Sequence, residues 1–183
     1  MLLPKEIHHK FEELNIILTR HDKEFIKMHA HGGYSILFAY PPHEESAYLE
    51  RVKNDYPDAC FIDLAGLFVD YIDRVGHDDF LEIYKEYASE PEKLFRSPMN
   101  DDDLYQRILA KIAQAGQAQK IPILLRTGAL FGTGIENINI MDSKVVHNLP
   151  LPLVIMYPAT ITAENKLKFL NVKFASDYRA TVI

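Results

Sequence analysis

The stretch from Arg126 to Gly134 (RTGALFGTG) comes closest to a chemical motif. A glycine-bearing loop between a strand and a helix can offer main-chain amides to an anion, and Arg126 adds a positive charge beside it. The phosphate-binding pattern G-x-x-x-x-G-K-[ST] is not met, because the lysine is missing. The dinucleotide pattern G-x-G-x-x-G fails as well, since Gly128, Gly132 and Gly134 are wrongly spaced. Two readings of the loop remain, a glycine-assisted turn and an anion site.

Other reactive residues are weaker candidates. Five of the eight histidines (His8, His9, His21, His29 and His31) fall in the first 31 residues. They form no H-E-x-x-H and have no carboxylate at ligand spacing, so they read as surface residues and no metal site is expected. Serines 35, 46, 89, 97, 143 and 176 are scattered, and no G-x-S-x-G elbow is present. The single cysteine, Cys60, lies in the apolar run 59–62 and excludes a disulfide framework; a buried structural thiol is expected. The acidic run 100–103 (NDDD) precedes a helical pattern and reads as capping rather than a metal site. No catalytic residue and no cofactor is assigned, and the chain is expected not to be an enzyme.

These residues must be held by a framework, and the apolar pattern supplies one. Residues 4–27 read as one or two helices, with Phe11, Leu14, Ile17 and Leu18 at helical spacing. Apolar runs at 34–40, 59–64, 121–125 and 150–157 read as buried strands, the last ended by Pro158. Helices are expected over 44–55, 64–75, 78–88, from 104 onward and over about 134–147, with 89–98 a broken connection. Asp63 is placed to cap the helix that follows it. Residues 167–170 and 178–183 are short runs that could pair antiparallel at the sheet edge. Four strands separated by helices predict a doubly wound, mostly parallel sheet with helices on both faces and a C-terminal antiparallel edge. One domain spans residues 1–183, with 1–31 as a helical extension packed on or flanking the core.

Ligands in such folds sit beyond the carboxyl ends of the strands. Those ends are Tyr40 with its two prolines, Asp63, Arg126-Thr127-Gly128, and Tyr157-Pro158. They are the candidate binding positions that topology defines.

Composition narrows the field further. Apolar residues make up 48% of the 183 and charged residues 25%, which suits a globular protein rather than a disordered one. No apolar run reaches the roughly 18 residues of a membrane span, and the N-terminal residues carry no signal-peptide pattern. A cytoplasmic location is expected. The net charge of −6 argues against nucleic acid as a strong direct ligand, although Lys166, Lys168, Lys173 and Arg179 concentrate base near the end. Residues 41–105 hold 17 acids against 6 bases, while residues 106–183 hold 4 against 9. Such asymmetry can orient a partner.

The C-terminal motifs, taken in order, are more specific than any fragment. Residues 123–131 (ILLRTGALF), 149–158 (LPLPLVIMYP), 167–171 (LKFLN) and 175–179 (ASDYR) resemble the BrxB family of the bacteriophage exclusion (BREX) defence systems. The run 34–42 ending in Tyr40-Pro41-Pro42 also resembles that family's first strand. Residues 159–165 (ATITAEN) replace the family's glycine and Asp-Gly turn after Tyr157-Pro158. Gly132-Thr133-Gly134 stands where a Pro-Phe-x-Arg stretch is frequent. The resemblance implies a small accessory subunit without established enzymatic activity. Its implied partner is the alkaline-phosphatase-like PglZ protein or another defence component, with self-association possible. Tyr178 and Arg179, which precede the last strand, join the candidate binding residues on this basis, since tyrosine and arginine are enriched at binding hot spots.

Overall fold

The computed structural model describes residues 4–20, 23–98, 100–162, 166–175 and 179–183. Helices α1 (Pro4–Arg20) and α2 (Lys23–His29) lead into strand β1 (Ser35–Tyr40). A single tight turn, Pro42–Glu44, precedes α3 (Glu45–Asp55), and β2 (Cys60–Asp63) runs directly into α4 (Leu64–Val75). Three further helices follow: α5 (His77–Tyr87), α6 (Glu92–Phe95) and α7 (Leu104–Gln117). Then come β3 (Pro122–Leu125), the tight turn Thr127–Leu130, α8 (Asn137–Met141) and α9 (Lys144–His147). The chain closes with β4 (Leu153–Ile161), β5 (Leu167–Phe169), β6 (Lys173–Phe174) and β7 (Thr181–Val182).

The sheet order is β2-β3-β4-β1-β7, with every neighbouring pair parallel. From β1 the chain crosses to the far edge at β2, then steps back through β3 to β4. Right-handed crossovers taken in opposite directions lay their helices on opposite faces, so the fold is doubly wound. On one face, Phe38 and Tyr40 of β1 meet Phe11 of α1 and Tyr48 of α3, with ring centroids 4.8 Å (Phe11–Phe38) and 5.2 Å (Tyr40–Tyr48) apart. On the other, α4 packs against α7, and α7 against β2 and β3. Every residue of β1 is buried, which is why the central strands read as unbroken apolar runs. Phe11, Leu14 and Ile17 belong to the same core cluster, so α1 is an integral layer of the fold.

Local chemistry sets the element boundaries. Asp63 ends β2 and accepts the Gly66 amide at 3.3 Å, capping α4 as its position predicts. Asp103, fully buried, accepts the amides of Gln106 at 2.8 Å and Ser97 at 2.6 Å, so the acidic run caps α7. The helix expected over 134–147 is two short ones, because Asp142 ends α8 and the Ser143 hydroxyl accepts the Val146 amide to restart the chain as α9. The connection 89–98 contains the single turn α6, whose Phe95 fills the space beside Phe68 and Tyr71.

Three expectations are corrected. Strand β4 does not end at Pro158. The β1 ladder stops there, with Tyr40 opposite Pro158, and the Pro158 carbonyl accepts the Leu170 amide at 2.8 Å, so the missing N–H costs the sheet little. The antiparallel edge joins β4 to β5 and β6, whereas β7 pairs parallel with β1 on the opposite side. Cys60 is half-buried rather than buried, because β2 is the outer strand of the sheet.

Candidate functional site: the carboxyl ends of the strands

Six of the predicted positions do converge. Tyr40, Asp63, Arg126, Thr127 and Gly128 lie at or just beyond the carboxyl ends of β1, β2 and β3. Tyr157, in the middle of β4, is level with the end of β1 because the parallel register aligns them. Arg126 leaves β3 in a left-handed conformation (φ 53°, ψ 43°), which turns its guanidinium to the Asp63 carboxylate. Asp63 thus serves two donors, the first turn of α4 and Arg126.

Thr127 is fully buried and its hydroxyl donates to the Met156 carbonyl at 2.8 Å. That bond continues the β3–β4 seam just where the ladder ends, since the last paired residues are Leu124 and Ile155. Gly128 faces Leu170 and Pro158. A Cβ there would stand 3.1 Å from a Leu170 methyl, so the hairpin's turn seats on the glycine. The crevice between these ends is small, about 240 Å³, and Pro42, Glu45, Ala65 and Leu170 are among its walls.

Several amides in and just after the glycine loop are already used. Ala129 donates to the Arg126 carbonyl, Phe131 to Gly128, Thr133 to Leu130, and Ile135 to the Thr133 hydroxyl. With Arg126 held by Asp63, an anion that recruited Arg126 or these amides would have to displace bonds that the fold itself makes.

The two tyrosines are struts. Tyr40 is 1% exposed, and its hydroxyl donates to Glu45 Oε2 at 2.7 Å; burial first, then that carboxylate, pushes its pKa far above the ordinary range. Tyr157 is equally buried and stacks on Phe169 at 4.8 Å. Tyr157 and Tyr40 each border one of two clefts that lie on either side of β4.

Arg179 does not belong to this cluster. It is exposed at the amino end of β7, where its main-chain carbonyl presses on Gly33; a Cβ on Gly33 would lie 1.8 Å from that oxygen. Parallel pairing of β7 with β1 forces this placement at the far end of the sheet. Tyr178 lies outside the described residues. The basic residues Lys168, Lys173 and Arg179 likewise form no common stripe: Lys173 pairs with Glu136, Lys168 lies over the Phe174 ring, and Arg179 sits at the opposite end.

Sequence reasoning missed the apolar side of the site. Beside the strand ends, the loop after β3 and the β5–β6 hairpin enclose a cleft of about 300 Å³. Tyr157, Phe169, Leu130 and Ile135 form part of its lining, and Phe131 and Phe174, each about half-exposed, stand at its mouth. The Lys173–Glu136 ion pair closes one side. Only the aromatic-glycine step Phe131-Gly132 marks this cleft in the sequence, because the hairpin that completes it arrives from 40 residues away.

Comparison of the chain with protein-family models, curated proteins and solved structures gives no match. No helix among the described residues is long and apolar enough to cross a membrane.

Proposed function

We propose that this chain is a non-catalytic assembly subunit of the BrxB type, working in a phage-defence system through protein–protein contacts in the cytoplasm. The observation that carries the reading is where the resembling motifs meet. Thr127 and Gly128 of the first motif, Met156, Tyr157 and Pro158 of the second, and Phe169 and Leu170 of the third are adjacent in space. Residues that form one structural unit have a shared reason to occur together in order.

That unit also has the surface such a role needs. The strand-end crevice is narrowed by the chain's own hairpin, while Phe131, Val172 and Phe174 remain more than half exposed. Exposed aromatic side chains around an apolar cleft are the composition of a protein-binding hot spot. A reading as a phosphate binder at residues 126–134 has less support, because Arg126 and the amides of Ala129, Phe131 and Thr133 are already engaged.

Co-expression with the phosphatase-like protein of a BREX cluster, followed by gel filtration with light scattering, tests the proposal. Co-elution at a defined stoichiometry is expected. Separate elution of two folded proteins would overturn the assembly reading.

A further inference from the structure

A second cleft, independent of that reading, opens on the other side of β4. Strand β4 runs on to Ile161 after β1 has ended at Tyr40, and α1 lies across the gap. The space enclosed is about 520 Å³, inside the range of roughly 300–1,000 Å³ typical of small-molecule sites. It sits at the carboxyl ends of β1 and β4, where doubly wound folds place ligands.

Its walls differ in character. The apolar wall is Ala39, Pro41, Ala159 and Ile161, the last 57% exposed. The polar wall is one face of α1, where Lys5 and His9 form one i,i+4 pair and Glu6 and Lys10 another. Thr160 also lines the cleft, but its hydroxyl donates to Asn171 at 2.6 Å. Glu6 is the single acid in the lining, beside three basic side chains on the same face of α1.

Lys10 is the unusual group. Its ammonium donates to the Ala39 carbonyl at 2.6 Å and to the Ile183 main-chain oxygen at 3.3 Å. An ammonium has three N–H donors, so one is left without a hydrogen-bond partner among the described residues, although the group also lies 5.7 Å from the Phe38 ring centroid. Burial pushes its pKa down, partly offset by Glu13 and Glu6. A half-buried cation with a spare donor, bordering a cleft with an apolar wall, is the complement of an anion with an apolar body.

We propose that the cleft between α1 and the ends of β1 and β4 binds a small organic anion, its charged group on Lys5, His9 and Lys10 and its apolar body against Pro41 and Ile161. Calorimetric titration at low salt with benzoate, phenyl phosphate and the neutral benzamide tests this. One-site, saturable binding of at least one anion is expected, and the tighter of the two identifies the headgroup. Benzamide should not bind. Lys10→Met removes a structural tie and risks the fold, so the variants are K5A/H9A and I161D, both at exposed side chains. Each should weaken the anion about tenfold or more, the scale of one lost charge-assisted contact. Absence of saturable binding by both anions, equal binding of benzamide, or unchanged affinity in both variants overturns the proposal.

Discussion

The hydroxyl of Thr127 donates to the carbonyl of Met156 at 2.8 Å in the interior, three residues beyond the last β3–β4 pair on β3 and one beyond it on β4. This bond lets the chain leave β3 for the glycine loop without abandoning the sheet. Replacing Thr127 with valine keeps the volume and removes the donor, leaving a buried carbonyl unpaired. The expected loss is about 1–3 kcal/mol, read as a lower urea midpoint with unchanged slope. Serine should retain most of the stability.

Arg126 sets two small effects against each other. A left-handed residue with a Cβ costs roughly 1–2 kcal/mol relative to glycine, while a half-exposed ion pair contributes about 0–1 kcal/mol. Arg126→Gly should therefore be near neutral or slightly stabilising in urea unfolding. A loss above about 2 kcal/mol would show that the Asp63 pair holds the strand ends together.

Gly33 carries a steric requirement. Any side chain there collides with the Arg179 carbonyl, so Gly33→Ala should push β7 away from β1. The Ile183 amide, which donates to the Leu37 carbonyl at 3.0 Å, should lose protection in hydrogen exchange, and stability should fall by about 2–4 kcal/mol. Protection equal to the parent would refute this account.

Tyr48 supplies a pH prediction. Its hydroxyl is buried without a hydrogen-bond partner among the described residues, and burial, then Glu44 and Glu6, push its pKa up to about 12. The unfolded value is near 10. The folded state therefore favours the neutral phenol, a contribution fully present below about pH 10 and lost as pH rises towards 12. Tyr48→Phe should be neutral or stabilising by up to about 1 kcal/mol at pH 7, because no hydrogen bond is lost. It should also widen the alkaline range in thermal melts; a narrower range would contradict the argument.

Phe131 and Phe174 separate binding from stability. Both are about half-exposed at the mouth of the apolar cleft, so F131A and F174D should shift the urea midpoint little, within about 0.5 kcal/mol. If this cleft meets the partner, each should reduce co-elution severely. Full co-elution of both variants would move the interface elsewhere.

Much of the framework is legible in the residues themselves. The apolar runs mark β1 to β4, Asp63 and Asp103 announce the helices they cap, and Gly76 stops α4 with φ 91°. These are local effects, in which periodicity and capping act over a few residues and need no knowledge of the rest of the chain. The convergence of Tyr40, Asp63, Arg126, Thr127, Gly128 and Tyr157 follows from the parallel class alone.

Only the tertiary structure decided the order β2-β3-β4-β1-β7, the run of β4 past Pro158, and the parallel docking of β7 that carries Arg179 to the opposite end. It also decided that Tyr40 and Tyr157 are buried struts, and that clefts flank β4 on both sides. Strand order and cleft walls depend on contacts between residues far apart in the chain, such as Lys10 with Ile183 or Gly128 with Leu170. No local pattern encodes those pairings, because each depends on where the whole sheet places its ends.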